Sequence, residues 1–141
     1  MKTALLILII AVFCLGPGVV CATEPRPVLD LGTTPDAVYR TYNQAQWRLD
    51  VDTVLACLSR RVQISREELY DKIMLGRSTL PQELHLLHVE PAERVATLYY
   101  LGIRVDTYDT GKTFHWRGTV TFVQENGNWR IRHETWQDAS E

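Results

Sequence analysis

Proton transfer near neutral pH needs a histidine, or a carboxylate shifted into that range, beside a hydrogen-bond donor. The chain has 141 residues, with four histidines and six tyrosines among them. In the C-terminal half, His88, Tyr99 and His133 share strand parity with long apolar residues, and Tyr42 lies on the apolar face of a helical segment. If those faces are buried, the four side chains point inward together. His133 or His88 would then be placed as a general base, with Tyr42 or Tyr99 as donor. A core histidine bonded to a neighbouring tyrosine gives the same pattern, since buried polar groups find partners. Trp116, Phe114 and Phe122 offer either an apolar ligand wall or plain core packing. The candidate ligand-binding set is therefore Tyr42, Tyr99, Trp116 and His133. No catalytic residue is assigned outright, and His133 and His88 stand as the alternative.

Other chemistries find little support. His85 and His88 are three apart on a predicted strand, so they lie on opposite faces and cannot share a metal. Scattered histidines and few cysteines argue against zinc. No phosphate-cradling glycine loop or Gly-x-Ser-x-Gly elbow is present, so no cofactor is expected. A net charge of -2 gives no basic footprint for nucleic acid. The only carboxylate expected on the inward face is Glu90, at a strand end beside Pro91.

The N-terminal segment carries an address. Met1-Lys2, an apolar run from Ala4 to Leu15, the Gly16-Pro17-Gly18 break and Val20-Cys21-Ala22 form the tripartite pattern of a signal peptide over residues 1–22. A spanning helix needs about 20 apolar residues without such a break. Lipidation at Cys21 is the competing reading, against which stands the branched Val20. Cleavage after Ala22 would leave Cys57 as the lone cysteine, between Leu55 and Leu58, where it reads as a small buried hydrophobe. The expected location is periplasmic or secreted. Residues 23–33, with Pro25 and Pro27, read as an extended lead-in, and 34–141 as a single domain.

That domain divides into a helical first half and a stranded second half. Thr34-Pro35-Asp36 starts a helix with Val38, Tyr42, Ala45 and Leu49 on one face. Asp52 is expected to cap a short second helix. Ser65-Arg66-Glu67-Glu68 forms a capping box for a third, which Gly76 stops. Period two then predicts four strands, 84–90, 95–107, 113–124 and 129–136. Asn126-Gly127 marks a type I′ hairpin that sets Phe122 opposite Ile131 and Val120 opposite His133. A turn at Thr110-Gly111 sets Leu101 opposite Val120 and leaves Arg104 facing Arg117. A turn near Ala92-Glu93 sets Leu86 opposite Tyr99. The inward face then collects Leu84, Leu86 and His88 from the first strand, and Tyr99, Leu101, Ile103 and Val105 from the second. The third adds Phe114, Trp116, Val120 and Phe122, and the fourth Trp129, Ile131 and His133. Helices on one face of an antiparallel sheet make an α+β domain.

The helix from Thr34 to Leu49, the short helix after it and the closing Gly127-Asn128-Trp129-Arg130-Ile131 segment resemble the nuclear transport factor 2-like superfamily. The resemblance covers roughly Thr34 to Gln137 and is closest to small exported bacterial members of unknown function. It implies a cone-shaped, cystatin-like α+β fold with a strongly curved sheet and a pocket at its mouth. The Asp base of the superfamily's ketosteroid isomerase branch has no matched position in this sequence. The expectation is thus a non-enzymatic domain that binds a small apolar ligand or a protein partner, with an isomerase, cyclase or dehydratase using a pocket histidine as the alternative. The outer sheet face, with Leu87, Leu98, Tyr100, Val123 and Trp136 expected beside Arg117, Arg130, Arg132 and Glu134, suits either a homodimer interface or a solvated face with an Arg117–Trp136 stack, and the resemblance favours the homodimer.

Overall fold

A computed structural model describes residues 34–106 and 111–139, so the signal peptide expected over residues 1–22 and the lead-in expected over 23–33 lie outside the described residues. Helix α1 spans Pro35–Arg48, with proline in its first turn, Asp36 near its N-terminus and Arg48 near its C-terminus. These charges complement the helix dipole. Thr34 occupies the cap position without a side-chain cap bond, and Leu49 ends the helix in a left-handed conformation with φ 58°.

Helix α2, Val51–Cys57, is capped by Asp50 rather than the expected Asp52: its carboxylate accepts hydrogen bonds from the Thr53 N–H at 3.1 Å and hydroxyl at 2.6 Å. Those bonds hold the Asp50 carboxyl below its ordinary range. Asp50→Ala should cost about 1 kcal/mol, measurable by urea unfolding at neutral pH. The loss should shrink as acid protonates Asp50 in the parent protein. Helix α3, Arg66–Gly76, follows the capping box, with Ser65 Oγ accepting from the Glu68 N–H at 3.1 Å. Gly76 does not stop the chain's winding, which continues as a 3-10 turn over Arg77–Thr79.

The second half is a four-stranded antiparallel meander: β1 Glu83–Ala92, β2 Val95–Val105, β3 Thr113–Glu125 and β4 Asn128–Asp138, in that spatial order. The β3–β4 turn has Asn126 at φ 52° and Gly127 at φ 80°, as a type I′ hairpin requires. Phe122 lies opposite Ile131, as expected. One residue further the register shifts, so Thr121 pairs with His133 and Val120 with Glu134. An extra residue in one strand reverses every later side chain. His133 therefore faces outward and is exposed, while Glu134 and Trp136 turn inward.

The β2–β3 register also departs from expectation. Leu98 pairs with Val120, Tyr100 with Gly118 and Leu101 with Arg117, in the register that sets Val105 opposite Thr113, where the Asp106 N–H donates to the Lys112 carbonyl; the expected turn at Thr110-Gly111 lies partly outside the described residues. The offset is odd, so the faces of β2 exchange. Ala96, Leu98 and Tyr100 are buried, whereas Tyr99 points outward. Arg104 lies opposite Phe114, which removes the expected clash with Arg117. In β1 a second irregularity at Leu87 keeps Leu84 and Leu86 against the core but sends His88 outward beside Tyr99.

The core lies between the helices and the inner sheet face, with Val38, Val54, Cys57, Leu98, Val120 and Phe122 almost wholly buried. Burial pushes the Cys57 thiol up to about 12, so it is held as an unreactive thiol. In the native full-length chain, the Cys57 peptide should escape alkylation that it undergoes in urea, as peptide mapping will show. Beyond α2, Ser59 donates to Glu125 Oε1 at 2.6 Å, and its N–H donates to the Ile131 carbonyl at 2.7 Å. These bonds staple the helical half to the β3–β4 hairpin. No helix among the described residues is long and apolar enough to cross a membrane.

Candidate functional site

A cavity of about 150 Å³ opens between α1, α3 and the inner sheet face. Helix α1 contributes Tyr39, Tyr42, Asn43 and Gln46, at a spacing that puts them on one side of the helix. Ile64, Leu69 and Ile73 supply an aliphatic wall around α3. The sheet supplies Tyr100, Trp116, Glu134 and Trp136. Side-chain donors bond backbone carbonyls beside the cavity: Trp47 Nε1 donates to the Pro81 carbonyl at 3.0 Å, and the Arg77 guanidinium donates to the Trp47 carbonyl at 2.9 Å.

Glu134 is the polar centre. Its Oε1 accepts hydrogen bonds from the Tyr39 hydroxyl at 2.5 Å and the Tyr100 hydroxyl at 2.9 Å. Among the described residues Oε2 accepts none, and no sealed side-chain polar atom among them lacks a partner. Oε2 is therefore not sealed within the protein, and Glu134 lines the cavity. The tyrosine rings pack on one another, Tyr39 lying 6.0 Å from Tyr42 and 5.1 Å from Tyr100 between centroids. Trp116 meets Trp136 edge to face at 6.0 Å.

Position Gly118 makes this arrangement possible. A β-carbon there would lie 2.4 Å from atoms of the Tyr100 ring, so the ring rests directly on bare backbone. Tyr100 thereby reaches Glu134 across the gap between β2 and β4.

Burial raises the Glu134 carboxyl above its ordinary range, opposed by the two tyrosine hydrogen bonds and the neighbouring His133 charge. Burial, reinforced by the Glu134 charge, likewise raises Tyr39, Tyr42 and Tyr100, which stay protonated donors. The folded protein holds the Glu134 proton more tightly than the unfolded chain does. Stability should thus fall as pH rises from the ordinary glutamate range through the raised folded value. Urea unfolding across that window should show the decline in the parent and a flatter profile in Glu134→Gln; identical slopes would mean an unperturbed carboxyl.

Of the residues singled out from sequence, Tyr42 and Trp116 line the cavity. His88, Tyr99 and His133 do not. His88 stacks on Tyr99 on the outer face at 4.3 Å, and Tyr99 donates to Glu90 Oε2 at 3.1 Å. The outer face also loses Leu98, Tyr100, Trp136 and Glu134, which turn inward. The expectation that Glu90 is the one inward carboxylate is overturned twice: Glu90 is exposed beside the outward Tyr99, and Glu134 lines the cavity instead. A clue lay in Trp136, a large aromatic that strict alternation sent toward solvent. Tyr39 was legible as the residue three before Tyr42. Among the described residues no group of three His, Cys, Asp or Glu is placed to hold a metal ion.

No protein-family model and no curated protein matches the sequence. Solved structures do match in shape. A SEC-C motif-containing protein of Rhodopseudomonas palustris is 18% identical with a TM-score of 0.55, over 73% of this chain and 78% of that one. An NTF2-like protein of unknown function from Pseudomonas putida is 16% identical with a TM-score of 0.51, over 75% of this chain and 89% of that one. Another NTF2-like protein of unknown function, from Silicibacter pomeroyi, is 17% identical with a TM-score of 0.50, over 73% and 91%. At such identities the likeness speaks for fold and is silent on activity. Three helices on one face of an open four-stranded meander, with these neighbours, give this chain the nuclear transport factor 2-like α+β fold.

Proposed function

We propose that this chain is an exported domain that binds a small, largely apolar molecule in the cavity, with one polar group of the ligand meeting Glu134. The observation that carries the reading is the cavity itself, walled by aliphatic and aromatic side chains around a single carboxylate. Binding sites typically combine apolar walls with a few placed polar groups. A volume near 150 Å³ matches an engineered cavity that holds benzene. Export rests on the signal-peptide pattern of residues 1–22. A homodimer through the outer sheet face remains part of the proposal, supported now by Tyr99, Leu101 and the 59% exposed Leu87 rather than by Leu98, Tyr100 and Trp136.

Gly76 offers a test because it lines the cavity, has a right-handed backbone, and a β-carbon there meets no atom within 4 Å. Gly76→Trp should fold normally and plug the site. Ligand-observed NMR with a fragment panel should find aromatic binders for the parent that the plugged variant no longer holds. A panel with no binder would contradict the reading.

A second reading is favoured by one observation, the desolvated Glu134 carboxyl between two phenols. Such a perturbed group suits acid–base catalysis of isomerase, cyclase or dehydratase type. In that case Glu134 takes the part that sequence gave to His133 or His88. Glu134→Gln would then abolish turnover while leaving affinity for a bound product largely intact.

A further inference from the structure

Resting on the small-molecule reading above, the structure also points to the chemical class of the ligand. Glu134 brings a carboxylate into an aromatic cavity without a cation to neutralise it. Among the described residues, no lysine, arginine or histidine makes an ion pair with it. Lys72, which lines the cavity, places its Nζ 2.9 Å from Glu68 Oε1 one helical turn back along α3. His133, next in the chain, lies on the opposite sheet face.

Burial raises the Glu134 carboxyl, and the two phenols oppose that shift in favour of the anionic form, which a bound cation would complete. Both hydroxyls donate to the same Oε1, and hydrogen bonds to the charged form stabilise it. The remaining oxygen, Oε2, accepts no hydrogen bond among the described residues and is not sealed, and Glu134 lines the cavity. Around it stand the rings of Tyr39, Tyr42 and Tyr100, with the Trp116–Trp136 pair on the same wall. Aromatic faces carry negative potential and attract cations, most strongly where water is excluded. A buried carboxylate also gains most from a partner that is itself charged and a hydrogen-bond donor. An anionic ligand would meet repulsion from Glu134, and a hydrocarbon would leave Oε2 without a donor.

We propose that the cavity selects a small apolar ammonium compound, its cationic head against Glu134 Oε2 among the tyrosine rings and its hydrocarbon body against Ile64, Leu69 and Ile73. Asn43 and Gln46, on the α1 side, are placed to contact substituents of that body. The class fits both the charge and the volume of the site.

Benzylamine, benzyl alcohol and benzoate are near-isosteric probes that differ in charge. Isothermal titration of the full-length protein at neutral pH should show benzylamine binding about tenfold or more tighter than benzyl alcohol, with benzoate weakest. Glu134→Gln should remove the preference for the amine while benzyl alcohol still binds, and Gly76→Trp should remove all three. Equal affinity for the amine and the alcohol, or a preference that survives Glu134→Gln, would overturn the ammonium assignment and leave the binding reading standing. Binding of none of the three would overturn both. Amine binding undiminished in Gly76→Trp would place the interaction elsewhere and overturn the assignment to this cavity.

Discussion

Phe122→Ala is expected to lower the unfolding free energy by about 3–5 kcal/mol, the range for truncating a buried aromatic. Phe122 is fully buried at the centre of β3, opposite Ala96 on one neighbouring strand and Ile131 on the other. Ala96 is small and cannot swing in to fill the void. Ile131 is itself held by a bridge to Leu58 and by its carbonyl, which accepts the Ser59 N–H. The surroundings therefore have little freedom to collapse, which places the cost toward the upper end. A domain of this size has about 5–15 kcal/mol in total, so the variant should unfold at markedly lower urea concentration. A loss below about 1 kcal/mol would mean that Phe122 lies at a surface rather than at the core.

Gly118→Ala should cost about 1–3 kcal/mol through overpacking, and its effect reaches the site. The added methyl would stand 2.4 Å from the Tyr100 ring, so the ring must move. That motion breaks the Tyr100–Glu134 hydrogen bond and disturbs the aromatic wall. Neighbouring residues couple, and a double-mutant cycle measures the coupling. In a Tyr100→Leu background, Gly118→Ala should be much less costly, because the ring it displaces is already gone. Additive effects would show that Tyr100 does not lie over Gly118. Ligand binding provides a second readout, since Gly118→Ala should weaken it at temperatures where the protein is fully folded.

These sites differ in how far local pattern reveals them. The helix starts were readable because Pro35, Asp36 and the Ser65–Glu68 box act within one turn of the chain. Asp50 displaced Asp52 as the second cap because two acids flank the same helix start, and only one aligns with Thr53. The β3–β4 hairpin was readable from Asn126-Gly127, whose positive φ values few other residue pairs accept. Beyond Phe122 that certainty ends. A bulge is set by how the sheet must bend over the helices, and nothing in period two records it.

Strand β2 presented a different ambiguity. Leu98 and Tyr100 alternate with Tyr99 and Leu101, so apolar residues occupy both parities. The choice between them falls to long-range fit: Tyr100 can lie inward because Gly118 faces it, and Tyr99 has no such place. The candidate site suffers from both effects at once. Tyr42 and Trp116 line the cavity, since their elements keep the expected phase. Glu134 depends on the β4 bulge and Tyr100 on the β2 register, so the pair that defines the chemistry lay beyond local pattern.

Glu134 lines an apolar cavity and is held there by two phenols. Carbon-detected NMR of the side-chain carboxyls, followed through a pH titration and assigned with Glu134→Gln, tests this most directly. One glutamate, absent from the variant, should titrate above the ordinary carboxylate range, and benzylamine should draw its midpoint downward. A Glu134 that titrates with the exposed glutamates and ignores the amine would contradict the account.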